Sequence, residues 1–554
     1  MNSLFAQPRK TLLLFAILSG VAFIVGFKLA DSDYFFKVNK SIEIFGRVYK
    51  EVSLNYVDEV DPEKFMESGI DGLLSGLDPY TNFINEEEGD EVELITTGKY
   101  GGIGVTIGVR DNYITIITLM EGYSAQRQGM LPGDRIIEVD GKSILGMKPD
   151  QVRSMTRGEP GTEVHLKIER EGEPKPLEFV LVREEIQLKN ISYADFVGNG
   201  IAYIRLERFT RGAGDELRLA VKNLKLKEDI KGVILDLRDN PGGLLDVAVD
   251  VVEKFVPKGS LVVSTRGRKT ETEKKYLATE EPMLPDVPLI VAVNRNSASA
   301  SEIVAGAIQD LDRGVIVGSR SFGKGLVQTI TPLPYNTKLK ITTAKYYTPS
   351  GRCIQEIDYM HKNKDGVFAT TPDSLKRQFK TQRGRIEYEL GGIIPDSAVA
   401  EPEQSALHKE LLRKSIYFKF ASHYMIAHKQ LSSPLSENDI LKEFQSFLDD
   451  QKFMYQDDAE SKLKELREIA DKSKYSAAVL DAIDHMKTQL ETEKEKGLDR
   501  HRTEVLHTLK MEIMSRYRGE DGRIEASLQD DPQILAAEGL LTNMKEYARR
   551  LNLK

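Results

Sequence analysis

Three short apolar runs constrain this chain more than any other feature. They are Gly232-Val-Ile-Leu-Asp-Leu237, Pro288-Leu-Ile-Val-Ala-Val293 and Gly314-Val-Ile-Val317. None alternates apolar with polar, so each reads as a strand covered on both faces. Amphipathic segments lie between them. Leu244 to Val256 places Leu244, Val247, Ala248 and Val251 on one side, and Ser301 to Leu311 does the same with Ile303, Val304, Ala307, Ile308 and Leu311. The pattern predicts an α/β unit over 184–404 whose sheet is largely parallel, with helices on both faces. Ligand chemistry in such sheets gathers at the carboxyl ends of the strands, so the loops after these runs deserve the closest reading.

The flanks differ in period. Residues 31–90 are expected to be helical, with Phe45, Val48, Tyr49 and Val52 at helical spacing. Residues 91–183 shift to short strands: Ile103–Ile107, Ile114–Thr118, Arg135–Val139, Val164–Ile168 and Leu177–Leu181. Pro132-Gly133 and Asp140-Gly141 supply turns, and one helix is expected between Pro149 and Gly158. Residues 405–554 are charged and helical. Ser436 and Asp439 predict a capping box ahead of the stripe Ile440, Leu441, Phe444, Phe447 and Leu448. This last region reads as a separate all-α domain without chemistry of its own, so removing 410–554 is expected to leave the function of the rest intact.

Residues 1–30 carry an apolar run from Thr11 to Phe27, preceded by Arg9 and Lys10. The run suits a membrane anchor or a signal peptide, with the cationic flank keeping the N-terminus cytoplasmic and the remainder exported. At 554 residues the chain needs several cores, and its net charge of −9 with no basic stripe speaks against nucleic-acid binding. One cysteine, Cys353, permits neither an internal disulfide nor a thiolate zinc site.

Three loops could carry chemistry. Ser297-Ala-Ser299-Ala-Ser301 lies between a buried strand and a helix, where unpaired N–H groups stabilise an oxyanion. A serine nucleophile needs a base, and His361 is the one histidine of the α/β unit, in a hydrophilic loop. Lysine serves instead when burial disfavours its charged form. Lys324 stands between Gly323 and Gly325, and Gln328 shares its strand face by even spacing. Gly318 to Gly325 nearly spells a phosphate-binding loop but lacks the hydroxyl residue after the lysine. The third loop, Leu237-Arg-Asp-Asn-Pro-Gly242-Gly243, could present a bare backbone N–H.

These segments, with Tyr346-Tyr-Thr-Pro-Ser-Gly351 and Gly391-Gly-Ile-Ile-Pro-Asp396, resemble the carboxyl-terminal (tail-specific) processing protease family, in the family's order over about 40–400. The resemblance implies a crotonase/ClpP-like α/β core, with Ser299 as nucleophile, Lys324 as base and Gln328 supporting it. It implies an oxyanion hole from the N–H of Ala300 and of either Gly242 or Gly243. It also implies that 91–183 is a PDZ domain. Its carboxylate loop would be Gly102-Ile103-Gly104-Val105, with Val152 and Met155 lining the groove or packing in the core. No metal or other cofactor is expected. The expected partners are polypeptides with exposed C-termini, the inner membrane through residues 1–30, an adaptor or regulator on the helical region, and a second copy of the chain. The expected location is the periplasmic side of the cell envelope.

Overall fold

A computed structural model describes residues 33–86, 89–268, 273–362, 368–370, 372, 374, 376–431 and 435–553. The apolar run from Thr11 to Phe27 lies outside the described residues. Among those described, no helix is long and apolar enough to cross a membrane.

The chain divides into two compact units. The smaller comprises residues up to Ile84 together with Ile330–Ile341. It holds a helix over 33–55 and a second over Pro62–Leu74, capped by Asp61, which accepts from the N–H of Glu63 and Lys64. Tyr49 stacks on Phe65 with ring centroids 5.6 Å apart. Strand Asn82–Ile84 pairs antiparallel with residues 338–340.

The larger unit contains everything else. Its centre is a six-stranded sheet in the order Ile191–Gly198, Ile201–Leu206, Gly232–Asp236, Leu289–Val293, Val315–Gly318, Ser397–Ala398. Every pairing is parallel except the first. The apolar runs therefore sit adjacent at the middle of the sheet, buried throughout, as their lack of alternation requires. Alternate residues serve opposite faces. Ala202, Ile204, Val233, Leu235 and Val291 face the helices Ala213–Lys227, Leu245–Glu253 and Ala300–Asp310.

The opposite face corrects the expectation of a separable tail. Ile201, Tyr203, Ile234, Ile290, Val315 and Val317 pack against Ile524, Leu528, Ile534, Ala537, Leu540, Leu541, Tyr547 and Leu551. The Tyr547 hydroxyl accepts from the N–H of Leu289 and lies 3.0 Å from the Leu289 carbonyl oxygen. The last helices are thus the second cover of the central sheet, and the sheet cannot keep that face dry without them. The earlier part of the tail does build its own core, from Leu411, Tyr417, Phe420, Phe444, Phe447 and Leu509 among others. Phe444 stacks on Tyr417 and meets Phe420 edge-on. The stripe 440–448 is packing, as its spacing predicts. The capping box does not form: Ser436 is the N-cap of Glu437–Asp450, but its side chain makes no capping bond.

The β-rich module is a five-strand path, Val105–Arg110, Tyr113–Leu119, Arg135–Val139, Glu163–Glu169, Leu177–Val182, closed by the helix Pro149–Thr156. Val105–Arg110 is an edge strand.

Candidate active site

The three central strands end in register, since Asp236 pairs with Ala292 and Val293 with Gly318. Their following loops therefore meet at one place. Side chains lock the first two loops together. Ser297 Oγ donates to the Leu237 carbonyl at 2.8 Å, and Ser301 Oγ to the Asn240 carbonyl at 2.9 Å. The N–H of Ala298 donates to the same Asn240 carbonyl. Both of these serines are fully buried. Of the three alternating serines, two hold the turn and only Ser299 retains access to solvent.

Ser299 is the N-cap of the helix Ala300–Asp310 and adopts φ 54°, ψ −112°. A non-glycine residue held there stores about 1–3 kcal/mol of strain. The Pro-Gly-Gly turn presses against it. A Cβ on Gly242 would lie 2.8 Å from the Ala300 nitrogen and 2.9 Å from Ser299 Cβ, so no side chain fits at 242. The Gly242 N–H is already engaged, donating to Asn240 Oδ1 at 2.9 Å. Gly243 pairs with Phe209 in an isolated parallel bridge, in which the Leu244 N–H donates to the Phe209 carbonyl. In that pattern the N–H of Gly243 itself points away from Phe209.

The residue that joins serine to lysine is Glu302. It is completely buried. Its Oε2 accepts from the N–H of Ser299 at 2.8 Å and of Lys324 at 2.9 Å. Its Oε1 accepts from Ser321 Oγ at 2.6 Å and from the N–H of Gly323 at 2.7 Å. Burial pushes its pKa up from 4.5 to about 7, against the pull of these four donors. A second bridge comes from Tyr346, whose hydroxyl lies 2.6 Å from the Lys324 carbonyl oxygen and 3.0 Å from that of Ser299. Burial raises this phenol's pKa well above its usual value. Lys324 is half-buried. Gln328 follows in the strand Leu326–Pro332 and donates through Nε2 to Thr342 Oγ1 at 3.1 Å. His361 is exposed and pairs with Asp358.

Sequence reasoning missed Glu302 and Tyr346. The signal for Glu302 was present: a serine followed three residues later by glutamate is the capping-box spacing. Tyr346 opens one of the segments that carry the resemblance, but nothing local marked its contact with the two loops, because only the pairing of distant segments brings it there.

In the β-rich module, Gly102, Ile103, Gly104 and Val105 border a groove of about 200 Å³. Val152 is fully buried in the core of the module, and Met155 packs half-buried against the same cluster. From that helix Arg153 and Thr156 line the groove, joined by its C-cap residue Arg157.

The peptidase family S41 model matches residues 200–361, a PDZ-domain model matches 115–170, and a model of the C-terminal helical domain of probable PDZ-proteases matches 407–541. The carboxy-terminal-processing protease of Bartonella bacilliformis is 41% identical over 321 residues, covering 57% of this chain and 73% of its own length. The carboxy-terminal processing protease CtpB of Bacillus subtilis is 32% identical over 390 residues, covering 69% and 80%. The chain belongs to the carboxy-terminal processing proteases of peptidase family S41. It is a serine-type peptidase with a PDZ domain. The S41 match spans the Ser299 loop, the Lys324 loop and Tyr346. The PDZ match takes in the helix Pro149–Thr156 and stops short of the Gly102–Val105 loop.

Proposed function

We propose that this S41 peptidase cuts peptide bonds through a Ser299–Lys324 pair, on substrates that its PDZ domain holds by the C-terminus. The observation that carries this reading is the shared carboxylate oxygen of Glu302, which fixes the backbones of Ser299 and Lys324 to one atom. Neutral Lys324 takes the Ser299 hydroxyl proton as Oγ attacks the scissile carbonyl. The N–H groups of Ala300, at the first position of its helix, and of Gly243 receive the oxyanion. Gly243 is preferred to Gly242 because the N–H of Gly242 is held by Asn240. Lys324 then passes the proton to the leaving amine, and water releases the acyl-enzyme. Gln328 orients the amine without the charge that would keep it protonated. The run from Thr11 to Phe27 anchors the chain in the inner membrane, with the peptidase on the periplasmic side acting on envelope proteins.

The test is cleavage of an unfolded protein with an apolar C-terminus by the chain and by its Ser299→Ala and Lys324→Ala variants. Loss of at least about 10³-fold in both, with unchanged melting temperature, is expected. Equal cleavage by all three would overturn the assignment.

A further inference from the structure

The groove beside Gly102–Val105 is mixed in character: apolar side chains line it, Ile103, Val105, Ile107 and Met120 among them, and so do cations. Three arginines line it: Arg153 and Arg157 from the PDZ helix and its C-cap, and Arg208 from the protease core. A helix advances 100° per residue, so Val152 turns into the core while Arg153, Thr156 and the C-cap residue Arg157 reach the groove. No acidic side chain lines the groove among the described residues. Arg153 pairs with exposed Asp150 at 2.8 Å, and Arg208 with its neighbour Glu207 at 3.3 Å, both outside the groove lining.

Arg157 differs from the other two. Its guanidinium lies over the Tyr100 ring, 4.6 Å from the centroid, and its Nε is buried without a hydrogen-bond partner. A buried guanidinium N–H left unmatched is costly unless a ligand supplies the acceptor. Tyr100 also lines the groove, so the unmatched donor stands at its wall. Burial raises the phenol of Tyr100, and Arg157, Arg208 and Arg153, which line the same groove, each pull it down. The edge strand Val105–Arg110 borders the same space and is free to pair with an extended peptide.

We propose that this groove selects polypeptide tails bearing an acidic side chain within their last three residues. Arg157 donates to that carboxylate, and Arg153 and Arg208 complete its cationic surround. Because Arg208 belongs to the protease core, an acidic tail is gripped by the PDZ domain and the core together. This rests on the reading that the groove captures C-terminal tails.

The experiment uses the full-length chain carrying Ser299→Ala, so that peptides are not consumed. Fluorescent decapeptides carry one Glu at the last, second-last or third-last position, each matched by a Gln peptide and by a C-terminally amidated form. At least one Glu peptide is expected to bind about tenfold or more tightly than its Gln partner. That preference should vanish with Arg157→Gln, weaken with Arg208→Gln, and shrink in about 0.5 M salt. Arg153→Gln and Arg208→Gln change exposed or half-exposed positions, so they remain usable if Arg157→Gln fails to fold. Glu and Gln peptides binding alike while amidation abolishes binding would overturn acidic selection and leave tail capture standing. A Glu preference that survives all three variants would overturn the arginine assignment. Binding indifferent to amidation would remove tail capture itself, and the proposal with it.

Discussion

Residues 407–513 and 524–551 are both largely helical, yet they have different jobs. The first segment packs mainly on itself, around Phe420, Phe444 and Leu509. The second gives its apolar side to strands more than 200 residues earlier in the chain. It also reaches the loops of the candidate site: Arg238, just after the strand Gly232–Asp236, pairs with Asp236 at 2.7 Å and with Asp531 at 2.6 Å. Burial alone would raise the Asp236 carboxyl, but Arg238 and the Tyr203 hydroxyl hold it below its ordinary value. Membership of a domain is decided by which face a helix covers, and adjacency in sequence does not reveal it. The sheet itself repeats the contrast: the chemistry sits on loops backed by nearby helices, and the far face is stabilised by distant ones.

The largest expected effect breaks the chain at that contrast. A protein ending at residue 404 exposes the whole far face of the sheet and is expected to lose soluble, cooperatively folding material altogether. Circular dichroism and a melting curve read this directly, and a truncated protein that melts cooperatively and still cleaves peptides would restore the separable tail.

Next comes Glu302→Gln, on the catalytic side. The amide cannot accept from all four donors, so the Ser299 and Lys324 loops lose their common tether. A fall in kcat of about 100-fold is expected, the scale for misplaced catalytic groups. The ionised carboxylate is the form that accepts four donors, so wild-type activity should fall as pH drops through about 7. That limb should be missing in the variant, measured as kcat against pH. The stability sign is opposite. A folded pKa raised from 4.5 to about 7 contributes stability that is fully present below 4.5 and lost as pH rises through about 7. The wild-type and variant stability curves should converge or cross over that window. Parallel pH–rate profiles would show that Glu302 is not a tether.

The smallest effect sharpens the comparison. Leu541→Ala, on the far face and 8% exposed, should lower stability by about 2–5 kcal/mol while leaving kcat per folded molecule unchanged. Denaturant melts and active-site titration separate the two readouts. A drop in kcat with no change in stability would mean that the far-face helices act on the chemistry instead of the fold.

Much of the protease core was legible in the sequence. Unbroken apolar runs predict buried parallel strands, and the strands and helices of the sheet's centre fall within a few residues of their predicted places. The Ser297–Ser301 turn stood out in the sequence by its three alternating serines, and the resemblance named Ser299 among them, but the residues gave no sign of which serines carry structural duty. That choice depends on the carbonyls of Leu237 and Asn240, which engage Ser297 and Ser301. Val152 shows the converse. Its spacing fits a groove-lining residue and a core residue equally, and only the helix orientation turned it inward and left Arg153 and Arg157 at the groove.

What the sequence determined by itself is local and periodic. Strand burial, helix faces, and glycines where a side chain would clash all follow from side-chain chemistry and the two repeat lengths of the backbone. What the tertiary structure decided is partnership across distance. Glu302 binds a loop more than 20 residues away, Tyr346 reaches one almost 50 away, and Tyr547 bonds to Leu289. Such contacts are selected by the packing of whole elements, which no window of residues contains.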